Sequence, residues 1–148
     1  NLARNVIPAI DIPMPNGYTK EEMKIVWETR KILNHPTLAV SCTAVRVPTM
    51  RAHCIAVSIK FSAPTSVRAV LEILESAPGV TVANDLAAHV YPIPSLASGK
   101  DNVFVGRVRE SLVFGSFGID LFIAGDQLLR GAALNAVEIA KLKSVIRL

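Results

Sequence analysis

The amino-acid sequence predicts an α+β fold, with helices packed on one face of a mostly antiparallel sheet. The first observation is that neighbouring predicted strands are joined by connections too short for a parallel crossover. The second is the composition of the 148 residues, 51% hydrophobic but only 5% aromatic, which is typical of a globular core built from aliphatic side chains. A chain of this length is expected to form a single domain spanning residues 1–148.

The N-terminal third is predicted to hold an extended arm and one helix. Residues 1–17 contain three prolines and end in an Asn-Gly turn sequence, so they indicate an extended arm. Thr19 and Glu22 have the spacing of a capping box, in which each side chain accepts the backbone N–H of the other. The helix that they begin is expected to end near Leu33, just before an Asn-His-Pro sequence.

Two strands are predicted after this helix, with a proline between them. Residues 38–47 are rich in β-branched residues and alternate loosely, and residues 52–61 carry apolar side chains at every second position. Because proline has no N–H to donate to a central ladder, the first strand is expected to end at Pro48.

The remaining chain is predicted to alternate between helices and strands. Apolar residues recur at helical spacing from Val67 to Leu74, ahead of an Ala-Pro-Gly stop. A long C-terminal helix is expected to begin with Asp126 as its N-cap and to run to about residue 145. The strands expected between these helices cover residues 80–83, 103–109 and 117–124.

Charge, hydropathy and cysteine spacing argue against several classes of function. The basic residues behind the net charge of +4 are scattered, without the Lys/Arg block or interleaved aromatic residues of a nucleic-acid interface. No apolar run approaches the roughly 18 residues that span a bilayer, so no membrane segment is expected. Cys42 and Cys54 lack metal-ligand spacing and are interpreted as small buried hydrophobic residues. The sequence contains no glycine-rich motif for a nucleotide phosphate.

The stretch AVRVPTMRAHCIAV contains the most informative polar residues. If Arg46 and His53 lay on one extended strand, their Cα atoms would be roughly 23 Å apart at about 3.3 Å per residue, with side chains on opposite faces. A turn at Pro48 would instead bring both side chains to one small anionic ligand. Arg46 then suits a carboxylate because of its fork geometry, and His53 is a neutral general base beside the cationic Arg51. The alternative is an ion-pair arginine and a structural histidine.

The first predicted helix carries charged side chains at spacings of three and four. One interpretation is a solvated face of ion pairs. In the other, Glu21 and Lys24, one turn apart on one face, grip an amino group and a phosphate respectively. The residues alone leave both interpretations open. The four side chains in this row are Glu21, Lys24, Glu28 and Lys31.

Six segments in succession resemble the C-terminal half of aspartate-semialdehyde dehydrogenase. The resemblance covers nearly the whole chain in the right order, and the blocks RVP(x)3AH and RGAALNAV are specific to it. The VPTMRAH sequence is most similar to that of the plant and cyanobacterial branch of the family. The six segments are TKEEMKIVWETRKIL, LAVSCTAVRVPTMRAH, SAPGVTV, YPIPS, NVFVGRVRE and GDQLLRGAALNAVEIA.

The resemblance implies a fold, a reaction and a partner. The fold would be similar to the catalytic domain of glyceraldehyde-3-phosphate dehydrogenase, serving in substrate binding and in the formation of a homodimer. The implied reaction is the NADPH-dependent reduction of L-aspartyl-4-phosphate to aspartate semialdehyde and phosphate, which serves lysine, threonine, methionine and isoleucine synthesis. A soluble protein of the plastid stroma or cytoplasm is expected.

The resemblance also implies roles for five residues. His53 falls on the acid/base histidine of the family, and Arg46 falls on the arginine that binds the substrate α-carboxylate. Glu21 falls on the carboxylate that holds the α-amino group, and Lys24 on the lysine that contacts phosphate. Gln127 lies near an amide that contacts the cofactor NADP.

Two parts of the family's active site are not matched by this sequence. The nucleophilic cysteine and the glycine-rich dinucleotide loop lie upstream of the block at which this chain begins, so the 148 residues alone are expected to lack reductase activity. Cys54 and Ile55 also stand where the family usually has Ser or Ala and then Glu, and Glu138 replaces a common Gln.

Two alternatives to the enzyme stay open at this point. The first is a non-catalytic dimerisation module derived from the enzyme, for which the native transcript would lack an upstream glycine-rich unit and active-site cysteine. The second is a basic nucleic-acid module, which would require a salt-dependent affinity for DNA or RNA.

Overall fold

The computed structural model describes residues 2–145, and the chain divides into two compact units, Asn1–Thr49 and Met50–Leu148. The division follows Pro48 closely, where the sequence predicts a turn. Residue 1 and residues 146–148, which the predicted single domain includes, lie outside the described residues. The single-domain interpretation stays a prediction.

The first unit contains one helix, α1, at Lys20–Ile32. Its predicted capping box is confirmed: the Thr19 hydroxyl accepts the Glu22 N–H at 3.3 Å, and the Glu22 carboxylate accepts the Thr19 N–H at 2.7 Å. Two of the orphan N–H groups at the helix start are thereby satisfied. The predicted end is also confirmed, with Leu33 as the C-cap.

The N-terminal arm pairs with the rest of its unit at isolated bridges. Ile7 and Arg46 exchange both backbone hydrogen bonds, at 3.0 and 2.9 Å. The predicted Asn-Gly turn is confirmed, because the Gly17 N–H donates to the Met14 carbonyl at 3.0 Å. Gly17 has a φ of +84°, which a glycine adopts without steric penalty.

The predicted strand at residues 38–47 is wrong, since this segment forms no strand and Arg46 alone makes a bridge. Its backbone groups bond to side chains of α1 instead of a ladder. The Ala44 N–H donates to the Glu22 carboxylate at 2.8 Å, and the Leu38 carbonyl accepts from Arg30 Nε at 2.8 Å. The strand-like composition was therefore not matched by a partner strand, without which no sheet forms.

The second unit contains a four-stranded sheet in the order β1-β4-β3-β2. Strand β4 pairs antiparallel with both β1 and β3, and β2 pairs parallel with β3. The predicted mostly antiparallel α+β class is therefore confirmed. All four strands overlap the segments expected from the sequence. Their bounds are His53–Lys60 for β1, Val80–Val82 for β2, Val103–Ser111 for β3 and Gly115–Gly125 for β4.

Helix α2, Val67–Ser76, covers one face of this sheet. Its apolar residues recur at spacings of three and four, which places them in one stripe, and they pack on a buried cluster of strand residues. This contact is the principal core of the second unit. The buried strand residues are Val105, Val108, Ile119 and Leu121, and the α2 residues are Val67, Val70, Leu71 and Leu74.

The opposite face carries a smaller cluster of alanines around Phe104. Ala97 of the short helix α3, Pro94–Ala97, is fully buried in it. The close packing depends on Gly106 of β3, because a Cβ at that position would lie 1.8 Å from the Ala83 carbonyl oxygen. The members are Ala52, Ala83, Ala97, Phe104 and Ala124.

The long C-terminal helix predicted from Asp126 is present as α4, Leu134–Val145, but a π-helical turn at Leu129–Ala133 precedes it. Asp126 does cap this end, since its carboxylate accepts the N–H of Leu128 at 2.9 Å. The wider turn arises because N–H groups bond to carbonyls five residues back. That of Gly131, for example, donates to the Asp126 carbonyl at 3.3 Å.

Candidate active site

His53 is the first residue of β1, at the end of the sheet. It lies opposite Gly125, the last residue of β4. Its side chain is exposed and makes no hydrogen bond or ion pair with any residue in the range 2–145. An imidazole whose backbone is held in a strand, and which has no hydrogen-bond partner among the described residues, is free to exchange a proton with a bound ligand.

Arg51, which the sequence places beside His53 as a free cation, is paired. Its Nε lies 2.7 Å from Oδ2 of Asp126, a carboxylate with a fully buried side chain, although the N–H is not aligned for a good hydrogen bond. Burial raises the pKa of Asp126, but the Gly99 N–H, Arg51 and the Leu128 N–H outweigh it and hold the pKa below its usual value. The positive charge next to His53 is thus offset by a buried negative one.

Gln127 contacts the backbone immediately before His53. Its Oε1 accepts the N–H of Ala52 at 3.1 Å. Ala52 is buried and has a φ of +77°, a left-handed conformation that is unfavourable for residues with a Cβ. The amide of Gln127 therefore stabilises a strained residue, and its assignment to the cofactor stays a prediction.

In the first unit, Glu21 and Lys24 are bonded to each other on the first turns of α1. Lys24 Nζ lies 3.1 Å from Glu21 Oε2 and 3.6 Å from Asp11 Oδ2. The hydrogen bond and the charge of Glu21 raise the pKa of Lys24, and Asp11 adds to this. The hydrogen bond from the Ile12 N–H lowers the pKa of Asp11, so the cluster holds two carboxylates and one ammonium.

Asp11 was not singled out by the sequence. It lies in the arm with a φ of +70°, a conformation that only a small fraction of non-glycine residues adopt. The Asp-Ile-Pro sequence around it indicates a turn, but nothing local predicts that its carboxylate approaches Lys24, thirteen residues away.

Arg46 is held by its backbone and is free at its side chain. The two hydrogen bonds with Ile7 fix its position in the first unit. The guanidinium is exposed and makes no hydrogen bond or ion pair with any described residue. The ion-pair interpretation of Arg46 therefore finds no partner in that part of the chain.

The five candidate residues are distributed over both units. Glu21, Lys24 and Arg46 belong to the first, and His53 and Gln127 belong to the second. Convergence of Arg46 and His53 on one ligand, which the sequence suggests through Pro48, stays a prediction.

The two cysteines differ from each other in exposure. Cys42 is half-buried, and its Sγ lies 3.5 Å from the Glu22 carbonyl oxygen. Cys54 is exposed, so its interpretation as a buried residue is wrong; it lies on β1, an edge strand of the sheet. Desolvation raises the pKa of both thiols, and the charge of Glu22 adds to this at Cys42.

Neither of two small cavities in the second unit involves a candidate residue. They have volumes of about 150 and 320 Å³, and Arg107 and Arg109 line both. Over residues 2–145, no group of three or more His, Cys, Asp or Glu side chains could hold a metal ion. Over the same range no helix is long and apolar enough to cross a membrane.

The structure defines an α+β domain with a mostly antiparallel sheet and an exposed histidine at the end of an edge strand. The family described as semialdehyde dehydrogenase, dimerisation domain, matches residues 1–130. The chain belongs to this family.

Curated relatives carry the name aspartate-semialdehyde dehydrogenase. The protein of Aquifex aeolicus is 41% identical over 141 residues, which are 95% of this chain and 41% of the relative. Aspartate-semialdehyde dehydrogenase 2 of Vibrio cholerae is 46% identical over 143 residues, with the same coverage of 95% and 41%. The chain thus spans about two fifths of the length of these relatives.

Solved structures of this family have the same fold. Aspartate semialdehyde dehydrogenase II of Vibrio cholerae, complexed with ASA, superimposes with a TM-score of 0.91 at 42% identity, covering 98% of this chain and 42% of that one. The enzyme of Candida albicans with NADP gives a TM-score of 0.75 at 23% identity, covering 98% of this chain and 46% of that one, and shows the fold alone.

Proposed function

We propose that this chain is the substrate-binding and dimerisation portion of an NADP-dependent aspartate-semialdehyde dehydrogenase. The reaction is the reduction of L-aspartyl-4-phosphate to L-aspartate 4-semialdehyde and phosphate, within lysine, threonine, methionine and isoleucine synthesis. The observation that carries the proposal is that the Arg46 guanidinium and the His53 imidazole are both exposed and make no hydrogen bond or ion pair with the described residues. Membership of the semialdehyde dehydrogenase family supports it.

Arg46 binds the α-carboxylate of the substrate. A guanidinium presents two parallel N–H groups that match the two oxygens of a carboxylate, and the backbone bridge to Ile7 fixes the residue that carries it. Since the Arg46 side chain has no described partner, substrate binding breaks no ion pair within that part of the chain.

Glu21 and Lys24 exchange partners when the substrate binds. Glu21 holds the α-amino group and Lys24 contacts the phosphate. The positive amino group thus replaces Lys24 as the partner of Glu21, and the negative phosphate replaces Glu21 as the partner of Lys24. Both side chains are more than a third exposed, at 38% and 43%, and exposed ion pairs contribute little stability. Breaking the ion pair between Glu21 and Lys24 therefore costs little free energy.

His53 transfers the protons of the reaction. A cysteine thiolate attacks the acyl phosphate and phosphate leaves, which gives a thioester; once the thioester has been reduced, the imidazole protonates the thiohemiacetal oxygen and takes that proton back as the thiolate is expelled. Neither Cys42 nor Cys54 is proposed as this nucleophile, because desolvation raises the pKa of both thiols and so disfavours the thiolate. The nucleophile is expected from sequence beyond these residues.

The cofactor NADPH, when bound, supplies the hydride. Gln127 is the residue of this chain that would contact it. Its Oε1 is occupied by the Ala52 N–H, whereas its amide nitrogen has no partner among the described residues and remains available as a donor.

The partner is a second copy of the chain. The family is described as a dimerisation domain, and the second unit exposes large apolar side chains. Burial of such side chains between two copies is favourable. They include Ile55 at 54% exposure, Leu112 at 102%, Val113 at 81% and Phe117 at 40%.

The experiment is an assay of the protein as it is naturally encoded. We expect phosphate- and NADP-dependent oxidation of aspartate semialdehyde, followed by absorbance of NADPH, and no turnover by the 148 residues alone. Turnover by the isolated chain would contradict the proposal that the nucleophile comes from outside these 148 residues. A natural protein that dimerises in sedimentation at micromolar concentration but has no activity would favour the alternative, a non-catalytic dimerisation module.

A further inference from the structure

Residues 51–53, which lead into β1, are joined to residues 125–127, which lead out of β4. His53 lies opposite Gly125 in the strand register. The Ala52 N–H bonds to Gln127, and Arg51 forms an ion pair with Asp126. The segment that leads into the candidate acid/base histidine is thus held at every residue.

Asp126 is the centre of this arrangement. Its side chain is 0% exposed and its carboxylate contacts three separate segments of the second unit. One oxygen accepts the Gly99 N–H at 2.7 Å and lies 2.7 Å from Arg51 Nε. The other accepts the Leu128 N–H at 2.9 Å and the Leu129 N–H at 3.3 Å. A buried carboxylate with this many donors keeps its position because each donor would lose its partner if it moved.

The connection from Asp126 to His53 runs along two routes. In the first, Asp126 holds Arg51, two residues before the histidine. In the second, it caps the turn after β4, which fixes Gln127, and Gln127 holds Ala52. Ala52 needs this support, because its φ of +77° is unfavourable for alanine and would relax without it.

We propose that Asp126 is a positioning residue for His53, holding in place through Arg51 and Gln127 the backbone from which the imidazole projects. The inference rests on the proposed function, in which His53 transfers protons. Asp126 itself does not touch the substrate. Small errors in the placement of a catalytic group are costly, since a displacement of about 1 Å lowers a rate about 100-fold.

The test compares Asp126→Asn with Asp120→Asn in the naturally encoded protein. Asp120 is the matched control, because it lies on β4 and faces an arginine as Asp126 does, but its Oδ2 is 3.8 Å from Arg109 and the register places it opposite Ser58, away from residues 51–53. We expect Asp126→Asn to lower kcat about 10- to 100-fold with a much smaller change in KM, and to shift the pH profile of kcat. Asp120→Asn should leave all three values unchanged.

A double substitution separates positioning from general loss of stability. Arg51→Met should lower kcat through the first route alone, and Arg51→Met with Asp126→Asn should be no worse than Asp126→Asn, because the contact with Arg51 is already lost in that variant. An unchanged kcat and pH profile in Asp126→Asn, together with a lowered Tm, would overturn the proposal and leave Asp126 a structural residue.

A readout without catalysis distinguishes failure of this inference from failure of the proposed function. If the wild-type protein has no turnover, the proposed function fails, but the position of His53 is still measurable by NMR. Asp126→Asn should shift the imidazole resonances of His53 and speed hydrogen exchange of the Ala52 amide, and Asp120→Asn should do neither. Unchanged signals in Asp126→Asn would overturn the positioning role whatever the activity.

Discussion

The carboxylate of Glu22 accepts the backbone N–H of Ala44 at 2.8 Å, although the two residues are 22 positions apart. Its other oxygen accepts the Thr19 N–H at 2.7 Å, so one side chain both caps α1 and ties it to the segment that carries Arg46. Glu22 is 6% exposed, and it and Asp126 are the buried carboxylates among the residues whose burial is described. Glu22 therefore joins the helix that carries Glu21 and Lys24 to the segment that ends in Arg46.

Replacement of Glu22 by Gln should destabilise the first unit. An amide nitrogen cannot accept a hydrogen bond, so one of the two backbone N–H groups would be left without a partner. We expect the Tm to fall by several degrees at neutral pH, measured by circular dichroism or calorimetry. Glu28→Gln, on an exposed position of the same helix, is the control and should leave the Tm unchanged.

The same pair of proteins should show a specific pH dependence. The hydrogen bonds from Thr19 and Ala44 lower the pKa of Glu22 below its ordinary value of 4.5. Because the pKa of Glu22 is lower in the folded state than in the unfolded state, its ionised side chain stabilises the fold at pH values above the unfolded-state pKa. This stabilisation is lost as the pH falls through the folded-state pKa. The Tm difference between wild type and Glu22→Gln should accordingly be constant above about pH 6 and shrink below 4.5. A difference that stays the same down to pH 3 would contradict this account of Glu22.

Replacement of Arg46 by Lys should impair use of the substrate in the naturally encoded protein. Lysine keeps the charge but cannot form the bidentate pair with a carboxylate, and losing one charge-assisted hydrogen bond corresponds to about a 10- to 100-fold fall in kcat/KM. Steady-state kinetics with aspartate semialdehyde measures this. Arg68→Lys, at an exposed position paired with Glu72, should have no effect. Equal activity of Arg46→Lys and wild type would remove Arg46 from the site.

Replacement of His53 by Ala should mainly lower kcat, since the residue is proposed to act on protons and not on binding. General acid–base catalysis contributes about 10² to 10⁴ in rate, and a loss of this size is expected in the assay of the naturally encoded protein. His35→Ala serves as the control, because that side chain is also exposed but lies outside the proposed site. Should both variants retain full kcat, the proton transfer would have to be assigned to another group.

Replacement of Gly106 by Ala should strongly destabilise the second unit. The added methyl would lie 1.8 Å from the Ala83 carbonyl oxygen, a backbone atom of the buried alanine cluster. Overpacking of a core costs about 1–3 kcal/mol, and a clash with backbone is expected at the upper end or beyond. Urea unfolding measures the loss. Gly125→Ala on β4 is the control, because its new methyl would meet Val103 at an ordinary 3.5 Å.

The sequence predicted the elements whose determinants are local. The capping box at Thr19 and Glu22 and the apolar stripe of α2 are set by residues within a few turns, and both are as expected. The predicted ends of the strands in the second unit were also close to the observed ends, because alternation and turn residues mark them. The strand at residues 38–47 failed because composition cannot supply a partner, and a segment without a partner strand does not join a sheet.

The candidate site shows the same difference between features that the sequence predicts and features that depend on contacts between distant residues. A family resemblance in the sequence singled out Arg46, His53, Glu21, Lys24 and Gln127. It did not indicate that Gln127 holds the strained Ala52 or that Arg51 is neutralised by a buried carboxylate. Asp126 was read only as a helix cap, because its partners at Gly99 and Arg51 lie 27 and 75 positions away.

The sequence by itself determined the ends of α1, the alternation in the four strands of the second unit, the α+β class and the identity of the residues that resemble a known active site. These follow from neighbours within a few residues or from a run of matching letters. Only the tertiary structure decided which charges are paired and which remain free, because pairing depends on groups that folding brings together from distant parts of the chain. It left the side chains of Arg46 and His53 without described partners and surrounded the carboxylates of Glu22 and Asp126 with backbone N–H groups.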